Sequence, residues 1–175
     1  NCGSSDVLKY LGVRLSNDQD YLKKCLDKGS FCYLHAPLFH PAMKNVASVR
    51  RELKFKTFFN VLGPLVNPSQ PKNQLCGVYN LEIARLYGYV FENTNKNYSI
   101  LHSLDGYDEI SLTNDFKLLS RNKSAINSPD YFGFNKINPK ELEGGIEIKD
   151  SVDIFMKILE NKATKNQTNV VLANS

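Results

Sequence analysis

Two adjacent carboxylates, Asp108 and Glu109, could bind a metal ion. They follow a predicted strand over residues 98–103, in a loop that also contains Asp105 and Gly106. Magnesium prefers oxygen ligands and usually takes one or two protein carboxylates, with substrate phosphates completing its shell. The pair is therefore a candidate magnesium site. From the local sequence alone, however, a solvated acidic loop is the more common explanation.

A second candidate site lies on a predicted helix that contains His40 and the pair Arg50-Arg51. Arg50 follows His40 by ten residues, so the two lie within about three helical turns. Arginine binds a carboxylate through two parallel hydrogen bonds. The helix could therefore bind a small acid, although a helical Arg-Arg pair is usually a solvated face and one of the two is expected to be that.

Residues 60–68 place Gly63, Pro64 and Pro68 in an otherwise apolar stretch. This composition is costly inside a helix and predicts a rigid turn. The sequence has no glycine pattern of the dinucleotide-binding or P-loop kind. Its three histidines accompany no convincing nucleophile motif, which argues against a hydrolytic triad.

Composition is that of an ordinary globular protein. The chain has 175 residues, 42% of them hydrophobic and 23% charged, which is enough for one domain with a substantial core. A net charge of +4 is weak for a nucleic-acid-binding protein, and no apolar run is long enough to span a membrane. We expect a cytoplasmic protein with reduced cysteines, without nucleic-acid or membrane partners, and processed or cut from a longer chain.

Helical and extended segments alternate, which predicts an α/β domain. Ser16, with Gln19 three residues later, is typical of a helix N-terminus. The predicted helices cover residues 6–11, 16–29, 41–53, 56–62, 81–91 and 148–159. The predicted strands cover residues 31–36, 75–79, 98–103 and, more weakly, 115–119. Residues 120–145 are expected to be irregular, and residues 170–173 begin a further apolar element.

Taken in order, several segments resemble the anthranilate phosphoribosyltransferase family. The matching segments are CGSSDVL at 2–8, APLFHPAMK at 36–44, VRREL at 49–53, TFFNVLGPLVNP at 57–68 and DGYDEIS at 105–111. Each is weak alone, but the block over 40–68 is quite specific, and the ordered set covers nearly the whole chain.

The resemblance implies a two-domain fold like that of nucleoside phosphorylases and phosphoribosyltransferases. In it, a small helical domain is joined to an α/β domain with a central sheet and surrounding helices, usually in a homodimer. Residues 1–175 would be part of the α/β domain, with about 41–62 packing in the helical domain. The family's glycine-rich donor loop would lie upstream of Ser4, outside this sequence, so the resemblance implies that this stretch contains only half of the donor site and that activity is expected of the intact protein.

The resemblance also implies a reaction: transfer of phosphoribosyl from phosphoribosyl pyrophosphate to the amine of anthranilate, in tryptophan biosynthesis, with Mg²⁺ as cofactor. No residue is assigned as a catalytic acid or base. Asp108 and Glu109 match the family's metal-binding pair, and Ser4 matches a donor-binding position. The residues that match the anthranilate site are Arg50, His40, Ala36, Gly63 and Pro64.

Three alternatives stay open. A pyrimidine nucleoside phosphorylase has a similar fold, but the block over 40–68 argues against it. A non-catalytic relative that binds nucleic acid is disfavoured by the low net charge and by retention of Arg50 and the acidic pair. The third alternative is a structural fragment without activity of its own.

Overall fold

A computed structural model describes residues 3–40 and 59–175, with only the main chain described at 59 and 60. The predicted helix over 41–53 and the first residues of the next one fall outside these ranges. The chain divides into two compact units. The first is Asn1–Pro68 with Ile146–Val152, and the second is Ser69–Gly145 with Asp153–Ser175.

Described elements of the first unit are helical. Helix α1 (Ser4–Tyr10) confirms the helix predicted over residues 6–11. Helix α2 (Gln19–Gly29) confirms the predicted end at a glycine of the helix over 16–29. Helix α4 (Phe59–Leu62) confirms the described end of the helix predicted over 56–62. The elements are α1 (Ser4–Tyr10), α2 (Gln19–Gly29), α3 (Ala36–Phe39), α4 (Phe59–Leu62) and a 3-10 turn (Gly63–Val66).

The predicted start of α2 at Ser16 is wrong by two residues. The N-cap is Asp18, whose Oδ1 accepts a hydrogen bond from the N–H of Tyr21 at 3.1 Å. The hydroxyl of Ser16 instead accepts the N–H of Asp18 at 3.1 Å. Both side chains can satisfy free N–H groups before a helix, and the carboxylate is the one placed three residues before a helical N–H.

The predicted strand over residues 31–36 is also wrong. Residues 31–35 have no regular structure, and Ala36 begins helix α3. Pro37 is tolerated in a first helical turn, and the N–H of His40 closes that turn on the carbonyl of Ala36 at 3.0 Å. A short apolar run does not distinguish a strand from other buried segments, and no described strand pairs with this one.

The second unit contains a four-stranded sheet in the order β1-β2-β3-β4. Strands β1 and β2 are parallel, and the other pairings are antiparallel. The strands are β1 (Asn73–Gly77), β2 (Asn97–Ser103), β3 (Phe116–Ser120) and β4 (Ser124–Asn127). The sheet confirms the predicted α/β class. Strand β4 corrects the prediction that residues 120–145 are irregular: the N–H of Ser120 bonds the carbonyl of Lys123 at 2.7 Å, which closes a tight hairpin.

Helix α5 (Leu81–Glu92) makes the crossover between the parallel strands. Asn80 caps its start by accepting the N–H of Ile83 at 2.8 Å. The buried face repeats at helical spacing and comprises Ala84, Tyr87, Gly88 and Phe91. Because the ring of Phe91 stacks on that of Tyr98 in β2, at 5.3 Å between centroids, this face holds the helix on the sheet.

A hydrophobic cluster joins residues of β2 and β3 to residues of the loop between them. Its buried members are Leu101, Ile110, Leu112 and Phe116, and its partly buried members are Leu118, Phe134, Ile137, Val170 and Ala173. The last two belong to helix α7 (Lys165–Ala173), which follows α6 (Ile148–Leu159). Helix α6 confirms a prediction, and α7 shows that the apolar residues 170–173 end a helix.

Of the four cysteines, the three in the described ranges are free thiols. Within those ranges, no helix combines the length and the apolar character that a membrane span requires.

Candidate active site

The acidic pair lies in the loop between β2 and β3, here called the acidic loop (residues 104–115). Gly77 at the end of β1 is in register with Leu101 near the end of β2. Because β1 and β2 are parallel, they end on the same edge of the sheet, and the acidic loop starts there. Ligands of open α/β sheets bind at this edge. Asp108 and Glu109 are exposed there, as a binding site requires.

The main chain of Asp108 packs directly against Gly77. A Cβ atom on residue 77 would overlap the carbonyl oxygen of Asp108 and lie 2.7 Å from its carbonyl carbon. Only a residue without a side chain permits this approach. The end of β1 therefore fixes the position of the acidic pair from one side.

Ser103, the last residue of β2, shapes the acidic loop from within. Its N–H donates to the carbonyl of Tyr107 at 3.0 Å, and its hydroxyl donates to the carbonyl of Glu109 at 2.6 Å. The same hydroxyl accepts the N–H of Ser111 at 3.3 Å. Gly106 permits the intervening turn, since its φ of +98° favours glycine.

The third carboxylate of the loop, Asp105, has a different environment. It accepts hydrogen bonds from the hydroxyls of Ser111, at 3.4 Å, and Thr113. Over residues 3–40 and 59–175, the carboxylates of Asp108 and Glu109 make neither a hydrogen bond nor an ion pair. Asp105 therefore stabilises the loop, while the adjacent pair presents its oxygens to solvent.

Electrostatics at the pair favour binding of a cation. Partial burial raises the pKa of Glu109, and the negative charge of Asp108 raises it further. A divalent cation between the two would relieve this repulsion. No group of three or more His, Cys, Asp or Glu side chains in the described ranges could enclose a metal. The residues present fit magnesium, which takes one or two carboxylates and leaves positions for phosphate and water.

The first unit contains a cavity of about 210 Å³. Its lining includes three residues predicted for the anthranilate site, Ala36, His40 and Gly63. The full lining is Leu34, Ala36, Phe39, His40, Gly63, Asn67 and Pro68. Drug-sized ligands occupy roughly 300–1,000 Å³, so this cavity suits a smaller molecule, such as one with a single ring. Pro64, which is also predicted for the anthranilate site, follows Gly63 in the 3-10 turn but is not part of the lining.

The remaining predicted residues differ in what the structure shows. Ser4 is exposed and is the first residue of α1, after the N-cap Gly3. Arg50, the predicted ligand of the acid group, lies outside the described residues, so its role stays a prediction. Ser4 and the cavity belong to the first unit, and the acidic loop belongs to the second.

Comparison with known proteins assigns the family. The family described as "Glycosyl transferase family, a/b domain" has a sequence model that matches residues 1–175. The chain belongs to this glycosyl transferase family. It thus shares the α/β domain of these transferases, as the sheet and crossover helix of the second unit indicate.

Within the glycosyl transferase family, the chain is similar to curated anthranilate phosphoribosyltransferases. It is 55% identical to that of Flavobacterium psychrophilum and 53% identical to that of Flavobacterium johnsoniae, over 173 residues in each case. Each alignment covers 99% of this chain and 52% of the relative. The chain therefore spans about half the length of the curated relatives it matches.

A solved structure supports the same fold. The crystal structure of anthranilate phosphoribosyltransferase from Thermus thermophilus matches with a TM-score of 0.84 at 29% identity. The match covers 97% of this chain and 51% of that one. The α/β fold with a central sheet is therefore common to this chain and that glycosyl transferase.

Sequence reasoning missed three residues that hold the acidic loop: Gly77, Ser103 and Asn174. Asn174 bonds Ile110 across 64 positions of sequence, so no local pattern connects them. Gly77 could have been found, because the carboxyl ends of neighbouring parallel strands meet at one edge. The missed residues contact the main chain of the loop, whereas sequence motifs point to side chains that bind ligands.

Proposed function

We propose that the intact protein carrying this chain transfers phosphoribosyl from phosphoribosyl pyrophosphate to the amine of anthranilate and releases pyrophosphate. The observation that carries the proposal is the acidic pair, exposed and without a protein partner in the described ranges at the carboxyl edge of the parallel strands. Family membership and the names of the similar relatives support the choice of reaction.

Asp108 and Glu109 would hold Mg²⁺ on the pyrophosphate of the donor. The chemistry that the bound ion supplies there is neutralisation of the negative charge on the leaving group. The two residues present their carboxylates from a main chain fixed by Gly77 and Ser103. Ligands held in place before binding lose little entropy on binding, so the fixed loop favours a tight metal–donor complex.

The acceptor site would be the cavity lined by Ala36, His40 and Gly63. Its volume of about 210 Å³ favours a single aromatic ring. Arg50 would bind the carboxylate of anthranilate through two parallel hydrogen bonds, and Ser4 would contact the donor. These assignments come from the family resemblance and are proposals for this chain.

The proposed chemistry needs no strong general base. The bond between the anomeric carbon of ribose and the pyrophosphate oxygen breaks, and a bond from that carbon to the anthranilate nitrogen forms. The aryl amine is already neutral near pH 7, and the proton that it loses as the new bond forms passes to water or to the departing pyrophosphate. The protein therefore contributes mainly by positioning the two substrates and by stabilising the departing charge.

The oligomeric state and the cellular location of the intact protein are separate proposals. We expect the intact protein to form a homodimer, as the family resemblance implies, and to be cytoplasmic. No observation on the described residues favours a nucleoside phosphorylase or a nucleic-acid-binding protein.

Two variants of the intact protein test the proposed roles separately. Asp108→Asn with Glu109→Gln should mainly raise the donor and Mg²⁺ concentrations needed for half-maximal rate. Arg50→Ala should mainly raise the KM for anthranilate, because only the acceptor would lose its ligand. Steady-state kinetics followed by anthranilate fluorescence distinguish the two effects, and Asp153→Asn, an exposed carboxylate on α6, is the control. Unchanged anthranilate kinetics in Arg50→Ala would show that the acceptor assignment is wrong.

A further inference from the structure

Four successive main-chain groups of the acidic loop are each bound by a side chain. They run from the carbonyl of Glu109 to the N–H of Ser111. Ser103 binds the first and the last of them, at 2.6 and 3.3 Å. Asn174 binds the two between, which are the N–H and the carbonyl of Ile110, both at 2.9 Å.

The side-chain amide of Asn174 is fully used in this arrangement. Its Oδ1 accepts the N–H of Ile110, and its Nδ2 donates both to the carbonyl of Ile110 and to that of Val170, the latter at 2.8 Å. An amide carries two donor hydrogens and one acceptor oxygen. The opposite orientation of the amide would face an N–H with an NH₂ group, so the contacts fix its orientation.

Asn174 is also anchored at its own end. It follows the last residue of α7, where its main-chain N–H caps the helix. Val170 and Ala173 of that helix pack against the hydrophobic cluster that includes Ile110. Ile110 is only 4% exposed, so its main-chain groups need partners in the protein. Asn174 supplies both partners in the way that a neighbouring strand would.

We propose that Asn174 is a positioning residue for the metal-bound donor, which it serves by holding Ile110 and thereby the main chain from which Glu109 extends. The inference rests on the proposed function of the acidic pair. It is consistent with the contrast in the loop: its main chain is held at each of the four groups, while the carboxylates of the pair are exposed. Residues that orient metal ligands typically account for about 10- to 100-fold in metal affinity.

The test compares three variants of the intact protein by two readouts. Asn174→Ala removes both bonds to Ile110, Asn174→Ser replaces the amide by a polar side chain too short to bond both groups, and Ser175→Ala is the matched control. Among the described residues, the hydroxyl of Ser175, which lies just after α7, bonds only the carbonyl of Val171, at 2.7 Å. The readouts are binding of Mn²⁺ in the presence of phosphoribosyl pyrophosphate, followed by the decrease that the protein causes in the electron paramagnetic resonance signal of the ion, and the separate KM values for donor and anthranilate.

Asn174→Ala should weaken Mn²⁺ binding about tenfold and raise the donor KM, with the anthranilate KM unchanged. Asn174→Ser should change both readouts in the same direction, and Ser175→Ala should resemble the wild type. A merely structural role would instead lower the amount of active protein without separating the two KM values. If Asn174→Ala does not fold, Asn174→Ser carries the same comparison.

Wild-type Mn²⁺ affinity in a folded Asn174→Ala or Asn174→Ser variant would overturn the positioning role and leave the acidic-pair site standing. Failure of the wild type to bind Mn²⁺ with the donor present, or equal binding by the Asp108→Asn/Glu109→Gln variant, would overturn the proposed metal site and this role with it.

Discussion

At the scale of single residues, the position of the acidic pair depends on the absence of a side chain at Gly77. Gly77 ends β1, and the carbonyl of Asp108 occupies the space where a Cβ atom would lie. The atoms in the way belong to the main chain, so a rotamer change cannot remove the overlap. Any side chain at residue 77 must therefore displace either the end of β1 or the acidic loop.

Gly77→Ala should lower the free energy of unfolding by about 1–3 kcal/mol and weaken Mg²⁺-dependent donor use. Urea denaturation followed by circular dichroism measures the first effect. Gly29→Ala is the matched control, because a Cβ at residue 29 meets no atom within 4 Å. That variant should be neutral or stabilised by about 0.5 kcal/mol. Equal stability of the two variants would show that the loop does not pack on Gly77 in solution.

At the scale of elements, the crossover helix α5 is held at its C-terminus by a side chain from the β3–β4 hairpin. The guanidinium of Arg121 donates to the carbonyl groups of four residues: Phe91, Glu92, Thr94 and Lys96. It also lies 5.7 Å from the centroid of the Tyr98 ring. The last carbonyls of a helix lack intrahelical partners and attract cations. Arg121 therefore connects α5 to both strands β2 and β3.

Arg121→Ala should lower the free energy of unfolding by about 1–2 kcal/mol. Arg121→Lys should recover only part of the loss, since one ammonium group cannot reproduce the planar fork of a guanidinium. Thermal denaturation of both variants measures the difference. The control is Arg85→Ala, which changes an exposed arginine on α5. A melting temperature of Arg121→Ala equal to that of Arg85→Ala would contradict the capping role.

The elements also show how far the sequence was informative. Helices α5 and α6 follow from apolar residues at helical spacing, and strand β2 follows from a short apolar run that is almost continuously buried. Strand β4 was missed because its four residues alternate between exposed and half-buried and depend on pairing with β3. Likewise, residues 31–35 are apolar enough for a strand, but β-structure requires a neighbouring strand that a local pattern cannot supply.

The candidate site was predictable to a different extent. Asp108 and Glu109 could be found because they are adjacent and follow a strand. Their supports come from distant parts of the chain, such as Asn174. Leu112 illustrates the limit: it is fully buried with a φ of +59°, a conformation rare for a residue with a side chain. Leu112 belongs to the buried hydrophobic cluster, and no local propensity would predict its conformation.

At the scale of the whole molecule, the two groups of site residues lie in different compact units. The cavity and Ser4 belong to the first, and the acidic loop belongs to the second. The chain spans about half the length of the similar anthranilate phosphoribosyltransferases. The proposed reaction is therefore a reaction of the intact protein. Experiments that combine the donor, the acceptor and the metal must use the intact protein.

The most direct test of the proposed reaction is to mix the intact protein with anthranilate, phosphoribosyl pyrophosphate and Mg²⁺, and to follow anthranilate fluorescence together with pyrophosphate release. We predict loss of fluorescence with one pyrophosphate released per anthranilate consumed, and no loss when either Mg²⁺ or the donor is omitted. Unchanged fluorescence, or consumption of anthranilate without Mg²⁺ or without pyrophosphate release, would contradict the proposed transferase activity.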